Sequence, residues 1–226
     1  MLDFDKLIDE HLKKENRPKG VGRYYPSEAG TCMRKIWYSY KHPTEVEPEL
    51  LKIFEMGNIV HNFVVEVLKS EKTKDIELLE SEFPFREEVE DFMISGRIDN
   101  LIKIKASGKI YLVEVKSTKS IDYVKEASPH NVQQLQLYMH FTGVHNGFLL
   151  YIDKSNLKTK TFEIEYSEEE AKRILERFKS LHKHLKEESL PEAEGRSHKE
   201  VKWMCGYCEY KDRCHKDTPK AKHEEE

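Results

Sequence analysis

The spacing of apolar residues along the chain changes period partway through, and that change separates predicted helices from predicted strands. Residues 2–15 read as a charged helix, followed by a Pro- and Gly-containing break over residues 17–22. A second helix is predicted to open near Ser27–Thr31 and to carry Cys32, Arg34, Lys35, Trp37 and Tyr38. A third covers about residues 47–70, where Leu50, Phe54, Gly57, Val60, His61, Val64 and Leu68 recur at helical spacing. That stripe is expected to face the core, which turns Gly57 and His61 inward.

Beyond residue 75 the period falls to two. Residues 76–85, 92–104 and 109–117 read as strands, and Ser107-Gly108 supplies the turn that pairs the last two antiparallel. A helix over residues 131–141 precedes two more strands, 147–152 and 160–166. Ser167 with Glu170 makes a capping-box pattern that opens a long helix to about residue 188. Residues 191–199 are polar and aperiodic, a predicted loop, and the tail TPKAKHEEE is expected to be disordered. Helices before and after a mixed group of strands give an α/β or α+β core. The chain divides into an N-terminal helical segment (1–46), a core (47–190), a cysteine segment (191–215) and a tail (216–226), all within one domain.

Composition narrows the function. A chain of 226 residues with 38% hydrophobic positions supports one sizeable core, and two full domains would be cramped. No apolar run approaches the ~20 residues of a membrane span, and MLDFDKLIDEHLKKE is charged throughout, so a cytoplasmic protein is expected. A net charge of -4 argues against a protein that coats nucleic acid through a global positive field. Local basic groups remain: Lys13, Lys14, Arg17, Lys19 and Arg23 near the start, and Lys103, Lys105, Lys109, Lys116 and Lys119 in the middle. In a chain that is 35% charged these can equally be solvated faces.

The chemistry concentrates in two strands. In YLVEVKS, Leu112, Glu114 and Lys116 share one face because side chains alternate. A lone Glu-x-Lys is commonly no more than an ion pair. In SGRIDNLI, however, Asp99 is embedded in the neighbouring apolar strand, and a carboxylate there is costly unless it is paired or metal-bound. If the hairpin brings Asp99 and Glu114 to one face, their oxygens suit Mg²⁺ or Mn²⁺, ions that polarise a phosphodiester and acidify an attacking water.

GRID followed by a turn and EVK resembles the D…(D/E)XK signature of the PD-(D/E)XK nucleases, and MGNIVH and QLQLY resemble further motifs of their RecB-like branch. The resemblance implies a restriction-endonuclease-like core, a mixed central sheet flanked by helices. It also implies that His61 joins the metal site and that Gln134 and Tyr138 lie near the active site and substrate. His61, Asp99, Glu114 and the backbone carbonyl of Val115 would hold one or two divalent ions, with Lys116 orienting or helping to deprotonate the attacking water. Each residue has a plainer reading: His61 as a satisfied core histidine, Gln134 and Tyr138 as one turn of a packed helix. Their order along the chain favours the chemical one.

Cys205, Cys208 and Cys214 follow a C-x2-C-x5-C pattern, and Cys32 is the fourth cysteine. Zinc usually takes two closely spaced ligand pairs, although Cys32 or His215 could complete a site with the other three. Structural disulfides are rare in a reducing compartment. The split of one early and three late cysteines is similar to the iron-sulfur RecB-like nucleases, which implies a [4Fe-4S] cluster tying the ends of the chain together.

Nearly the whole chain, from SEAGTCMRKIWY to CGYCEYKDRC, resembles the small CRISPR-associated RecB-like nucleases of spacer adaptation, with Met33 where that family often has Pro. The resemblance implies a metal-dependent exonuclease that trims single-stranded DNA ends, with the CRISPR integrase as a partner. A repair or viral relative without a CRISPR role, or a non-catalytic DNA-binding relative, are the competing readings. Arg34 and Lys35 would then hold phosphates while Trp37, Tyr38 or Tyr138 stack on bases; in the plainer reading Trp37 and Tyr38 pack the core. Oligomeric state stays open.

Overall fold

The computed structural model describes residues 2–13, 18–199 and 201–217. Lys14 and Arg17 of the early basic group, the end of the first predicted helix and the tail TPKAKHEEE lie outside the described residues. Helix α1 (Phe4–Leu12) is capped by the Asp3 side chain, which accepts from Lys6 N. A short strand β1 (Arg23–Tyr24) and a 3₁₀ turn (Pro26–Glu28) lead to α2 (Met33–Lys41) and the long α3 (Pro48–Lys69).

The sheet follows. Strands β2 (Ile76–Val89), β3 (Phe92–Ile104) and β4 (Ile110–Thr118) form an antiparallel meander. Helix α4 (Pro129–Thr142) then carries the chain to β5 (Asn146–Asp153), which lies parallel to β4, and β6 (Thr159–Glu165) closes the edge antiparallel to β5. β1 runs parallel to the first residues of β3. Parallel β4 and β5 need a crossover, and α4 is that crossover. Helix α5 (Glu168–Lys186), one turn of α6 (Glu194–Ser197), a 3₁₀ segment (Lys202–Tyr207) and α7 (Lys211–Lys216) complete the described chain. The result is a mixed sheet flanked by helices, the expected architecture.

Three apolar clusters hold these layers. Leu135, Tyr138 and Met139 of α4 pack on Ile98, Leu112 and Leu149 of the sheet. Val60 and Val64 of α3 pack on Ile102, Tyr111, Val113, Val115 and Ile152. Helices α2 and α5 meet Tyr24, Phe92 and Ile94 in the third, where Trp37 and Tyr38 are buried. No described helix is long and apolar enough to cross a membrane.

Several expectations need correction. The apolar stripe of α3 does not face inward along its whole length: Leu50 and Phe54 are exposed, and so are Met56, Ile59, Phe63 and Val67 on another side. The helix is apolar on most sides, so periodicity alone cannot choose its buried face. The strand predicted to stop at residue 85 continues to Val89, because Val89 pairs with Phe92 across a two-residue turn at Glu90-Asp91, with Glu90 at a φ of +55°. The predicted loop at 191–199 contains the helical turn α6. Ser167 caps α5 by accepting from Glu170 N, as its pattern implies.

Candidate active site

The site lies where β3 and β4 part. Their ladder runs from Lys103 opposite Ile110 to Asn100 opposite Val113. At the next position the Asp99 side chain takes over, its Oδ2 accepting from Val115 N at 2.7 Å. Opening the sheet at this point removes a backbone partner from Val115, and the buried carboxylate replaces it. On the other edge of β3, Glu82 of β2 lies opposite Asp99, between the Ser81–Asn100 and Phe83–Ile98 pairs.

His61 reaches the same place from α3. Its Nδ1 is 3.4 Å from Asp99 Oδ1 and 3.9 Å from Glu82 Oε1. One ligand atom from each of His61, Glu82 and Asp99 falls within a sphere of mutual distances no larger than 4.8 Å, and among the described residues this is the one such group of cation-ligating side chains. Burial works against a charged imidazole, but the bond from Asp99 and the fields of Asp99 and Glu114 outweigh it and raise the pKa of His61. The three residues line a cleft of about 610 Å³ together with Tyr25, Asn58, Asn62, Arg97, Gln134 and Tyr138, among others.

Glu114 stands deeper. Only 2% of it is exposed, one carboxylate oxygen accepts from Lys116 Nζ at 2.8 Å, and Oε2 is buried with no hydrogen-bond partner. Burial first and the nearby Asp99 second push its pKa well above the usual carboxylate range. Burial disfavours the charge on Lys116, yet Glu114 more than compensates, and the ammonium is held above its ordinary pKa. A chain of bonds runs on from there. Lys116 Nζ donates to Gln134 Oε1 at 2.9 Å, Gln134 Nε2 donates to Tyr138 OH at 3.1 Å, and Tyr138 OH donates to the Arg97 carbonyl at 3.0 Å.

The structure therefore brings His61, Asp99, Glu114, Lys116, Gln134 and Tyr138 into one connected neighbourhood, with Val115 tied to Asp99. Glu82 was not anticipated. The chemistry fits a hard divalent ion: carboxylate oxygens and an imidazole converge in a polar cleft, and a buried carboxylate oxygen beside them lacks any partner.

Residues near Cys32 behave as core. Arg34 is buried and donates from Nε to the Pro191 carbonyl at 2.7 Å, Lys35 pairs with Glu209, and Trp37 and Tyr38 pack inside. A phosphate-binding or base-stacking role for Arg34, Trp37 and Tyr38 is incompatible with that burial.

Cys32, at the N-cap of α2, lines one cavity with Cys205, Cys208 and Cys214 from the C-terminal segment. All four are free thiols, and no three of their sulfurs stand within 4.8 Å of one another. Burial raises the pKa of Cys205 and Cys208. A Cβ at Gly195 would meet Cys205 Sγ at 2.5 Å, so this close approach demands glycine. Arg34 Nη1 is 3.9 Å from Cys214 Sγ. The two ends of the chain are joined beside this cavity by Glu194, which accepts from Met33 N at 2.6 Å and from both terminal nitrogens of Arg177.

A model of the PD-(D/E)XK nuclease superfamily matches residues 26–215. Among curated proteins, none matches the sequence. The fold is similar to that of the protein SSO0001, with 22% identity and a TM-score of 0.61 over 95% of this chain and 94% of that one. It is also similar to LHK-Exo, an alkaline exonuclease from Laribacter hongkongensis whose structure was determined in complex with dAMP; the identity is 14% and the TM-score 0.51, over 88% of this chain and 96% of that one.

Proposed function

The chain belongs to the PD-(D/E)XK nuclease superfamily, and from that premise we propose that it is a divalent-metal-dependent DNA exonuclease acting on single-stranded DNA or single-stranded ends. The observation that carries this reading is the convergence of His61, Glu82 and Asp99 on one cleft, with the unpartnered Glu114 Oε2 buried beside them. His61, Glu82, Asp99, Glu114 and the Val115 carbonyl would hold Mg²⁺ or Mn²⁺, with Glu82 an addition to the ligand set that the motifs imply. Such an ion, when bound, supplies Lewis-acid polarisation of the phosphodiester and a more acidic water. Lys116, fixed between Glu114 and Gln134, orients that water by donating to it. Tyr138 and Gln134 hold the Arg97 backbone, and through it the rim of the cleft, in place.

For the cysteine cavity we propose a [4Fe-4S] cluster rather than zinc, on the pattern of the cysteines along the chain. Zn–S bonds of about 2.3 Å in a tetrahedron draw the thiolates to roughly 3.8 Å of one another. A [4Fe-4S] cluster instead places each thiolate on a different iron, and the split of one early and three late cysteines is the arrangement for which the resemblance implies it. Cys32, Cys205, Cys208 and Cys214 would hold it as a staple between the two ends of the chain. The motif order with this split cysteine set supports the finer reading as well, a nuclease that processes new spacers in CRISPR adaptation alongside the integrase. LHK-Exo, crystallised with a deoxynucleotide, is an instance of an exonuclease on a similar fold.

The test is cleavage of end-labelled single-stranded DNA by the purified protein with Mn²⁺, with Mg²⁺ and with EDTA. Ladders shortened from one end, lost in EDTA and lost in Glu114→Gln, are expected. Cleavage by Glu114→Gln at the wild-type rate would sink the assignment, and internal cuts without end-trimming would replace the exonuclease with an endonuclease.

A further inference from the structure

Arg97 serves the cleft and contributes little to the core. Its side chain is 67% exposed, and its Nε donates to Glu82 Oε2 at 2.5 Å. The two residues are diagonal neighbours on β2 and β3, since Glu82 lies opposite Asp99 and Arg97 opposite Pro84. The other oxygen of the same carboxylate faces His61 Nδ1 at 3.9 Å. Glu82 is thus divided between a guanidinium on the rim and the cation-ligating group inside.

Its backbone is unusual too. Glu82 sits at a φ of +53°, a region that non-glycine residues seldom enter and that is retained where the surroundings impose it. A guanidinium keeps its charge throughout the working pH range, so a divalent ion has to compete with it for Glu82. Arg97 has a second use available, because its planar fork matches the oxygens of a phosphate. Both partners line the cleft that holds Asp99.

We propose that Arg97 is the internal counter-ion of the metal site. With no divalent ion bound, its guanidinium holds the Glu82 carboxylate. When an ion takes Glu82, the guanidinium is freed into the cleft and grips a phosphate of the DNA. Loading the ion and engaging the substrate are thereby coupled through one carboxylate. The grip on a phosphate rests on the nuclease reading above, whereas the competition for Glu82 does not.

The first experiment is calorimetric titration of the full-length protein with Mn²⁺ at low salt in the absence of DNA. Wild type, Arg97→Gln, Arg97→Lys, Glu82→Gln and the Arg97→Gln/Glu82→Gln double variant are compared, with Asp99→Asn defining the site. Arg97→Gln is expected to bind Mn²⁺ roughly two- to fivefold more tightly than wild type, the size that a partly exposed ion pair carries, and added salt should shrink the difference. Arg97→Lys should stay near wild type. In the Glu82→Gln background the gain should vanish. An equal gain with and without Glu82 would mean a diffuse field effect and would overturn the proposal, as would no gain at all. No Mn²⁺ binding that Asp99→Asn abolishes would overturn the nuclease reading itself.

The second experiment is steady-state cleavage of single-stranded DNA at saturating Mn²⁺. Arg97→Gln is expected to raise KM by about tenfold, in the range of a lost charge-assisted bond, with the larger share of the loss in KM and the smaller in kcat. An unchanged KM would leave Arg97 as a counter-ion only and would overturn its role toward the phosphate.

Discussion

The carboxylate cleft is built by a sheet, whereas the cysteine cavity is built by segments remote in sequence that meet through side chains. Asp99, Glu114 and Glu82 are set by strand register, and among the acidic and imidazole groups only His61 comes from a helix. Cys32 sits at a helix cap, while Cys205 lies on a 3₁₀ segment, Cys208 at its end and Cys214 on a short helix, and Glu194, Arg177 and Arg34 join the two parts of the chain beside them. A ladder of backbone bonds fixes geometry before any ion arrives. Side-chain ties fix it only as well as each tie survives, and the cofactor proposed for the cavity would supply the remainder.

That contrast predicts that damage to the first region removes chemistry and leaves the fold, while damage to the second removes the fold first. The largest effect is expected at Asp99. Asp99→Asn should cut the rate of DNA cleavage by at least about a thousandfold, since a ligand to a Lewis acid holds several kcal/mol of transition-state stabilisation. It keeps an acceptor for Val115 N, so its melting temperature should stay near that of wild type. Asp99→Ala should be equally inactive and also less stable, by about 1–3 kcal/mol, because a buried N–H loses its partner. Equal melting temperatures for the two variants would show that the carboxylate does not replace the missing rung of the ladder.

Next in size is Cys205→Ser. With the proposed cluster as occupant, iron content should fall to background and stability to denaturant should drop by several kcal/mol, read by urea unfolding under anaerobic conditions; a wild-type protein that binds no iron would remove the cluster from the proposal. The fraction that remains folded should still cleave DNA. A variant of full stability and no activity would erase the division between the two regions. The smallest effect is expected at Glu194→Gln. It retains an acceptor for Met33 N and loses the ion pair with Arg177, which should lower stability by about 1–2 kcal/mol and, with the proposed cluster present, hasten iron loss in a chelator challenge.

Much of the first region was legible in the sequence. Asp99, Glu114 and Lys116 announce themselves because charges inside apolar strands of period two have few structural excuses. Glu82 was not legible. In ESEFPF it is one acid among others, and its importance comes from its rung opposite Asp99 and its positive φ, neither of which has a local signature. A hairpin signal at Glu90-Asp91 would have fixed that register, but the turn lacks the Gly that marks such loops. The inward face of α3 was only half readable, since Leu50 and Phe54 look as apolar as Val60 and Val64 yet are exposed, on the part of the helix where Lys52 pairs with Asp9 of α1. In the second region the four thiols could be counted, but the buttress could not. Nothing in PEAEGRS foretells that Glu194 caps the backbone beside Cys32, and Gly195 reveals its purpose only next to Cys205 Sγ.

The long span between Cys32 and its partners also sets a timetable for synthesis. Cys32 leaves the ribosome early and waits, while strands β2 to β6 are translated, for the three thiols that complete its chamber. The chamber therefore cannot close on a nascent polypeptide until the C-terminal segment has been made, and its closure carries the entropy of a wide loop. The reactivity of Cys32 toward a maleimide dye would therefore report whether a given molecule has been finished.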